Sequence, residues 1–482
     1  MKPAAEWIIE SSAGTPRPPF EFGTEDRAFL DTLQRATWTF LWDACDPDTG
    51  MVVDRTSVEF ASIAGVGFQL AAIPAAVERK YITREQGQQR ALTILQALAA
   101  NPDNRKHGIF YHFLTGPTAK PVDMDVVSTI DTALLFAGAM VAGSYFQGEV
   151  DAIATRLVDE ADWAAFKLEN PPKGEAYLKG FLALGWKPTD HAKPTGEGRF
   201  TPHAWFDAGD EQRLIYFVSQ FSPKAEHRVD PADYYRLRRA LGSYADSGPH
   251  SWFPWSGALF TNIFAHLFID YAGMGPDDPA AQGVERRARI DWWENSRRAV
   301  QLHRAKALAA QGKVPTLGPD AWGLTANDAA SGYQVPGVFP DLIRFTDTVP
   351  DVDVSTYRPK DDLGGGNVAP YGAGMAVMFQ PGPAISALRH YYGLKDKDGQ
   401  PLVWREPGAG KQPEFGFRDS FNLGTGWVAP DYVAIDQGPL FLAIENARTG
   451  LTWRLFHAHP RVQAAMERLG LRLERDEAAK PR

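Results

Sequence analysis

Cysteine is almost absent: Cys45 is the only one in 482 residues, which excludes an intramolecular disulfide and any thiolate metal cluster. Such poverty occurs in cytoplasmic and periplasmic proteins alike, so it leaves the compartment open. No unbroken apolar run approaches the roughly 18 residues of a membrane span. With 44% hydrophobic and 23% charged residues, the composition is that of a soluble globular chain. Basic clusters are lacking too. The net charge is -9 and the Lys and Arg residues are scattered, so a nucleic acid finds no electrostatic foothold and a neutral or cationic ligand fits better. Residues 1–22 are rich in Pro and Ser and lack the apolar core of a signal peptide, although a leader replaced by the starting Met would leave the same sequence.

Several catalytic signatures are missing as well. Eleven His residues include His107 with His112 and His457 with His459, but neither pair has the HExxH spacing or a thiolate companion, so both read as structural or surface residues. There is no GxSxG elbow and no Walker loop, and Gly364, Gly365 and Gly366 precede Asn367 with no following Lys. Serine-nucleophile chemistry and nucleotide binding therefore lose support. Neither a metal nor an organic cofactor is expected.

What is abundant is tryptophan and helical periodicity. Trp186, Trp205, Trp252, Trp255, Trp322 and Trp427, among 14 in all, stand in Gly, Pro or polar surroundings, where a flat ring beside hydrogen-bonding groups suits a sugar. Thr24, Glu25 and Asp26 open an amphipathic helix, Thr83 and Gln86 form a capping box before Arg84 to Ala100, and Asp230-Pro231 precedes a helix predicted over Tyr234 to Tyr244. Further helices are predicted over 63–78, 126–145, 150–168, 211–220, 257–271, 292–310, 384–392, 437–448 and 460–469. Strand is limited to pieces such as His107 to Leu114. Val126 to Ala142 and Leu259 to Ile269 are apolar on nearly every side, whereas other helices are two-faced, the pattern of an inner set wrapped by an outer one. The expected fold is all-α, an α/α toroid in one domain over residues 23–475, after an N-terminal extension (1–22) and before a charged tail (476–482). The Gly, Pro and Asp-rich stretch from Pro315 to Pro383 reads as a long loop, and a loop of that length points to a functional role.

Carboxylates set among aromatics carry the chemistry. Glu211 follows Trp205, Phe206, Asp207 and Asp210 and opens an apolar helix, a setting for a buried proton donor or for a first-turn acid that only complements the helix dipole. Asp131 interrupts the apolar run around Ile130 and Ala133, where an isolated carboxylate is costly unless partnered or facing a cavity. Asp419 lies in Phe417-Arg418-Asp419-Ser420, and Asp436 precedes an apolar helix that it could cap.

Three longer motifs go further: Trp322-Gly323-Leu324-Thr325-Ala326-Asn327-Asp328, Phe415 to Asn422, and Tyr432-Val433-Ala434-Ile435-Asp436-Gln437-Gly438-Pro439. Together with Asp210-Glu211 and the ordered series from about Thr37 to Leu469, they resemble the bacterial glucoamylase-like family that includes the endo-β-1,2-glucanases. The resemblance implies an (α/α)6 barrel, with short hairpins and long loops over a cleft, that hydrolyses β-1,2-linked glucan without a cofactor. It implies Glu211 as general acid, although Asp210 replaces the family's Asn. Where relatives show Asp-x-x-Glu, this chain has Ser128 and Asp131, so the partner carboxylate is one of Asp131, Asp419 and Asp436. Arg55, Asn327, Asp328, Tyr371, Arg418 and Gln437 are expected to bind sugar hydroxyls, and Trp42, Trp205, Trp322 and Trp427 to stack on sugar rings.

Two carboxylic acids suffice for inversion or retention, and kinship favours inversion. A transglycosylase acting on the same glucan is one rival reading. An α/α-barrel polysaccharide lyase is another, and a noncatalytic glycan-binding protein is suggested by Ser128. A polysaccharide partner points to the periplasm or outside, with the cytoplasm left open. Oligomeric state is not legible in the sequence.

Overall fold

A computed structural model describes residues 2–344, 361–408 and 413–474. The chain starts with a short strand, Ile8–Ile9, parallel to Arg289–Ile290. Arg17 then forms an ion pair with Asp291, so the N-terminal stretch is tied to residues far along the sequence. Helix α1 (Thr24–Asp43) follows, with Glu25 and Asp26 in its first turn, where they complement the helix dipole.

Two kinds of helix alternate from here. Helix α2 (Ile63–Glu78) buries fourteen of its sixteen residues, whereas α3 (Arg84–Ala100), opened by the Thr83–Gln86 capping box, buries five of seventeen. Helix α4 (Thr129–Phe146) is buried on all sides, and α5 (Gly148–Glu160) again buries one face. Burial all round and burial on one face are what inner and outer helices require. The inner helices α2 and α4 cross backbone to backbone: a Cβ on Gly138 would lie 1.8 Å from the Gly67 carbonyl oxygen, so only glycine permits this approach.

Helix α4 has the length and mean hydropathy of a membrane span, although Asp131 interrupts its apolar run. It is packed instead against α2, α5, α6 (Asp210–Val218) and, near the end of the chain, a helix from Leu451 to Ala458. Among the described residues no other helix passes that test.

The second half contains α7 (Pro231–Arg236), α8 (Trp292–Ala309), α9 (Pro370–Met375), α10 (Pro381–Gly393), α11 (Ala434–Arg448), α12 (Leu451–Ala458) and α13 (Pro460–Leu469). Helix α11 is as buried as α2 and packs on α1, α2, α9 and α12. Thirteen α-helices among the described residues, with sheets of only two or three short strands, make the chain helix-rich, consistent with the expected all-α class.

Four expectations fail, each where tertiary partners outbid local periodicity. The helix predicted over 234–244 stops at Arg236, and Ala240–Ser243 becomes a strand between His250–Trp252 and Asp341–Leu342. Arg238 reaches Asp207 while its neighbour Arg239 reaches Asp277, and opposite directions for consecutive side chains suit extended backbone. The segment 257–271 forms 3-10 turns, Leu259–Asn262 and Phe264–Leu267, because Thr325 Oγ1 takes the Phe260 N–H at 3.2 Å and Asp210 Oδ2 takes that of Ala265 at 3.0 Å. Helix α5 ends at Glu160 rather than near Leu168: Ala161 caps it by donating to Val158 O, and the following N–H groups, of Asp162 and Trp163, donate to His107 and His227 carbonyls. Finally, the stretch 315–383 is not one loop: it holds the hairpin Asn327–Ala329/Gly332–Gln334 and helix α9, while its residues 345–360 lie outside the described residues, as does the expected tail 476–482.

Candidate active site

The inner segments begin close to one another. Ala434, which opens α11, donates its N–H to Asp54 O at 2.7 Å, and Ile63, which opens α2, donates to His112 O at 3.0 Å. His112 lies beside Asp131 in the first turn of α4. The carboxylates of interest share these starts: Asp131 is the third residue of α4, Glu211 the second of α6 and Asp436 the third of α11. Asp436 is therefore not a helix cap, a position held by Val433.

Helix α6 starts after Gly209 with no side-chain cap. Asp210 turns inward to Arg213 and to the Ala265 N–H. Glu211 makes no hydrogen bond to any described residue, and its carboxyl is pushed up from 4.5 to about 8, first by burial, then by the charges of Asp131 and Asp210. A helix N-terminus alone would pull it the other way, by roughly 0.3–1 kcal/mol, less than one pKa unit. Glu211 is half-buried by surface area; desolvation and like charge outweigh the dipole and favour its protonated form.

Asp131 is fixed by the Ser128 hydroxyl, which donates to Oδ2. His112 Nε2 lies 3.7 Å from Asp131 Oδ1, and Nδ1 lies 3.9 Å from Asp125 Oδ1. These distances are too long for hydrogen bonds and leave an electrostatic contact. Trp205 donates its indole N–H to Thr129 Oγ1 at 2.8 Å, which holds a half-buried ring at the start of α4.

A second acidic group forms where the loops converge. Asp419 Oδ2 accepts the Asp328 N–H at 2.7 Å. Arg55 grips both oxygens of Asp328, at 2.8 and 3.1 Å, and reaches Asp54 at 3.1 Å. The Asp436 carboxylate lies against that of Asp419. Neither oxygen of Asp436, nor the second of Asp419, accepts a bond from any N–H or O–H of the described residues. Two buried carboxylates in contact cannot both ionise, so they share a proton. Burial pushes both up, Asp419 to about 6 and Asp436 well beyond the carboxylate range because the Asp419 charge faces it.

The other expected residues divide. Tyr371 donates to Ala326 O at 2.7 Å, and Asn327 is buried with its amide on Thr325 O. Gln437 donates to Phe417 O at 3.0 Å. These three brace the second acidic group rather than face solvent. Arg418 is paired with Glu414 at 2.9 Å and lies over Tyr432, and Trp427 is half-buried on a short hairpin with Phe421–Asn422. Trp42 belongs to the outer layer, stacked on Trp38 and covered by Arg90, so it is not brought to the acids. Trp322 is 0% exposed, which corrects its reading as a stacking platform: no ring face is open to a sugar.

Two residues escaped the sequence. His112 reads as a surface His because its neighbours Asp125 and Asp131 come from later in the chain. Tyr333 sits opposite Asp328 in the Asn327–Gln334 hairpin, and only that register reveals it. Of the other His residues, His107 is exposed, His457 accepts the Asp270 N–H at 2.9 Å, and His459 bonds Asp151 at 2.8 Å. Among the described residues no three His, Cys, Asp or Glu are grouped as metal ligands.

Comparison with known proteins gives the chain's family. Residues 202–460 match the family "Putative glucoamylase", and residues 32–123 match a family of unknown function, DUF3131. An exo β-1,2-glucooligosaccharide sophorohydrolase (non-reducing end) of Parabacteroides distasonis is 27% identical over 474 residues, covering 92% of this chain. The chain spans 58% of that relative's length. The crystal structure of a "putative glucoamylase" from Bacteroides uniformis is similar at a TM-score of 0.71 and 25% identity, covering 93% of this chain and 98% of that one. The endo-β-1,2-glucanase of Chitinophaga pinensis, solved with sophorotriose and glucose, gives a TM-score of 0.70 at 24% identity over 93% and 98% of the two chains. Since the matched segment covers more than half of its residues, the chain belongs to the family of glucoamylase-like proteins.

Proposed function

We propose that the chain is a glycoside hydrolase that cleaves β-1,2-linked glucan with Glu211 as general acid and Asp419 as general base. The observation that carries this reading is Glu211 itself: a carboxyl at a helix start, without a hydrogen-bond partner and held protonated at neutral pH by burial and two neighbouring acids. The relatives' β-1,2-glucan chemistry supplies the substrate class. In the proposed step Glu211 gives its proton to the departing glycosidic oxygen as the bond to the anomeric carbon breaks. Water attacks that carbon, and its proton passes to Asp419.

Asp131 is the nearer acid to Glu211, yet its Oδ2 is occupied by the Ser128 hydroxyl. It fits the role of a fixed charge that keeps Glu211 protonated. Asp419 Oδ1 is buried and accepts no hydrogen bond from a described N–H or O–H, and Asp419 is the member of the acidic pair that ionises first. Asp436 lies against Asp419 and takes the pair's proton more readily, which favours the ionised form of Asp419. A base in a group separate from the acid leaves room for water and favours inversion.

We further infer that the buried segments α2, α4, α6, 259–268, α9 and α11 form the inner ring of an (α/α)6 toroid. Helices α1, α3, α5, α7, α8 and α10 would form its outer ring, within one catalytic domain. A polymeric substrate supports a location in the periplasm or outside the cell, with the cytoplasm left open.

The experiment is the pH dependence of kcat/KM on linear β-1,2-glucan. Asp419 must be ionised, so activity falls as pH drops through about 6. Glu211 must be protonated, so activity falls as pH rises through about 8. A bell centred near neutrality, whose alkaline limb disappears when Glu211 is replaced, is expected. A wild-type profile still rising beyond pH 9 would remove Glu211 from the acid role. Proton NMR of the first product should show the α-anomer; the β-anomer would shift the second carboxylate's role to Asp131 as nucleophile.

A further inference from the structure

Tyr333 is unusual among the exposed large apolar side chains. It is 47% exposed, yet it stands across the hairpin from Asp328, which is linked to Asp419 and, through Arg55, to Asp54. An open ring beside this acidic group is an amphipathic group at the edge of a charged floor. Its position is set from several sides. The strand register places it directly across from Asp328, whose N–H bonds Asp419 and whose carbonyl accepts the Ser420 hydroxyl. Gln334, the next residue, donates to Gly364 O at 3.1 Å. The Arg55 guanidinium, held by Asp328, lies 6.0 Å from the ring centroid. Arg55 therefore occupies one face of the ring, and the exposed area is what that contact leaves free.

An open aromatic face beside polar groups is available to a partner that is apolar on one side and polar around its edge. The C–H faces of a pyranose ring suit such a face, and the polar surroundings suit its hydroxyls. We propose that Tyr333 is a substrate-positioning residue, the platform on which a glucosyl ring beside the bond to be cut rests above the Asp419–Asp436 pair. This rests on the hydrolase reading and adds to it. Glu211 approaches the glycosidic oxygen from the start of α6, and Tyr333 holds a neighbouring sugar from the hairpin side, so the substrate is fixed between two separate parts of the chain. Because the phenol is neutral throughout the working range, ring contact rather than charge supplies the effect.

The test is steady-state kinetics of wild type, Tyr333→Ala and Tyr333→Phe on linear β-1,2-glucan. Calorimetric binding of a β-1,2-gluco-oligosaccharide is measured alongside in a Glu211→Gln background. Loss of the ring should raise KM and Kd about tenfold, with kcat changed severalfold at most. Tyr333→Phe keeps the ring and should stay within about twofold of wild type in KM. An Ala variant with wild-type KM and Kd overturns the platform, and so does a Phe variant as impaired as Ala, which would assign the effect to the hydroxyl. A wild-type protein that neither cleaves nor binds the glucan would instead sink the hydrolase reading.

Discussion

Glu211→Gln is expected to lower kcat on β-1,2-glucan by about a hundred- to ten-thousandfold, the usual contribution of a positioned proton donor, while KM changes little. Glutamine matches the carboxylic acid in shape but has no acidic proton to give, so ground-state contacts survive and the transition state loses its proton. The same substitution should stabilise the fold. The carboxyl of Glu211 lies at about 8 in the native state against 4.5 ordinarily. A raised native value means that this group's contribution is fully present below about pH 4.5 and is lost as pH rises through about 8. Melting of the variant should therefore exceed that of wild type at pH 8, by more than it does at pH 5. A variant that is both inactive and less stable at pH 8 would show that Glu211 holds the fold together and would undo its assignment as a strained catalytic acid.

The largest expected loss of stability is at the neighbouring residue. Asp210 and Arg213 are each about 1% exposed and paired with each other. The guanidinium lies between Trp292, at 3.7 Å from the ring centroid, and Tyr271, at 4.7 Å. Asp210→Ala would leave that cation buried without its counter-charge and the Ala265 N–H without its acceptor. Breaking a buried pair from one side costs about 3–5 kcal/mol, which urea unfolding would register as a lower midpoint at unchanged slope. Asp210→Asn keeps an acceptor for Ala265 and should lose less. In both variants a negative charge that raises Glu211 is gone, so the alkaline limb of the rate profile should move to lower pH in whatever fraction remains folded. An Ala variant as stable as wild type would contradict the role given to the pair.

The sequence made the helices legible where one face or all faces repeat over several turns. Helix α3 starts and ends where its capping box and apolar spacing predict, and α2 likewise. Helices α9 and α12 escaped because six and eight residues carry too little periodicity. The segment 257–271 was misread because its helix-breaking bonds come from Asp210 and Thr325, distant residues that no local window contains. For the site the division is similar. Glu211, Asp131, Asp419 and Asp436 could be picked out as acids in apolar surroundings, and the family resemblance set Glu211 apart as the acid while leaving its partner open among the other three. Their grouping could not be: Arg55 meets Asp328 across 273 residues, and Asp419 meets Asp436 through the packing of a loop on α11. Trp322 shows the converse, since a Trp beside glycine looks available for a sugar until its burial is known.

The most direct measurement of the central claim is product sizing and reducing-end release with wild-type protein on linear β-1,2-glucan, beside β-1,3-, β-1,4- and α-1,4-glucans. Short β-1,2-linked products from the first substrate and none from the α-1,4-glucan are predicted. Cleavage of the α-1,4-glucan with β-1,2-glucan left intact would contradict the account.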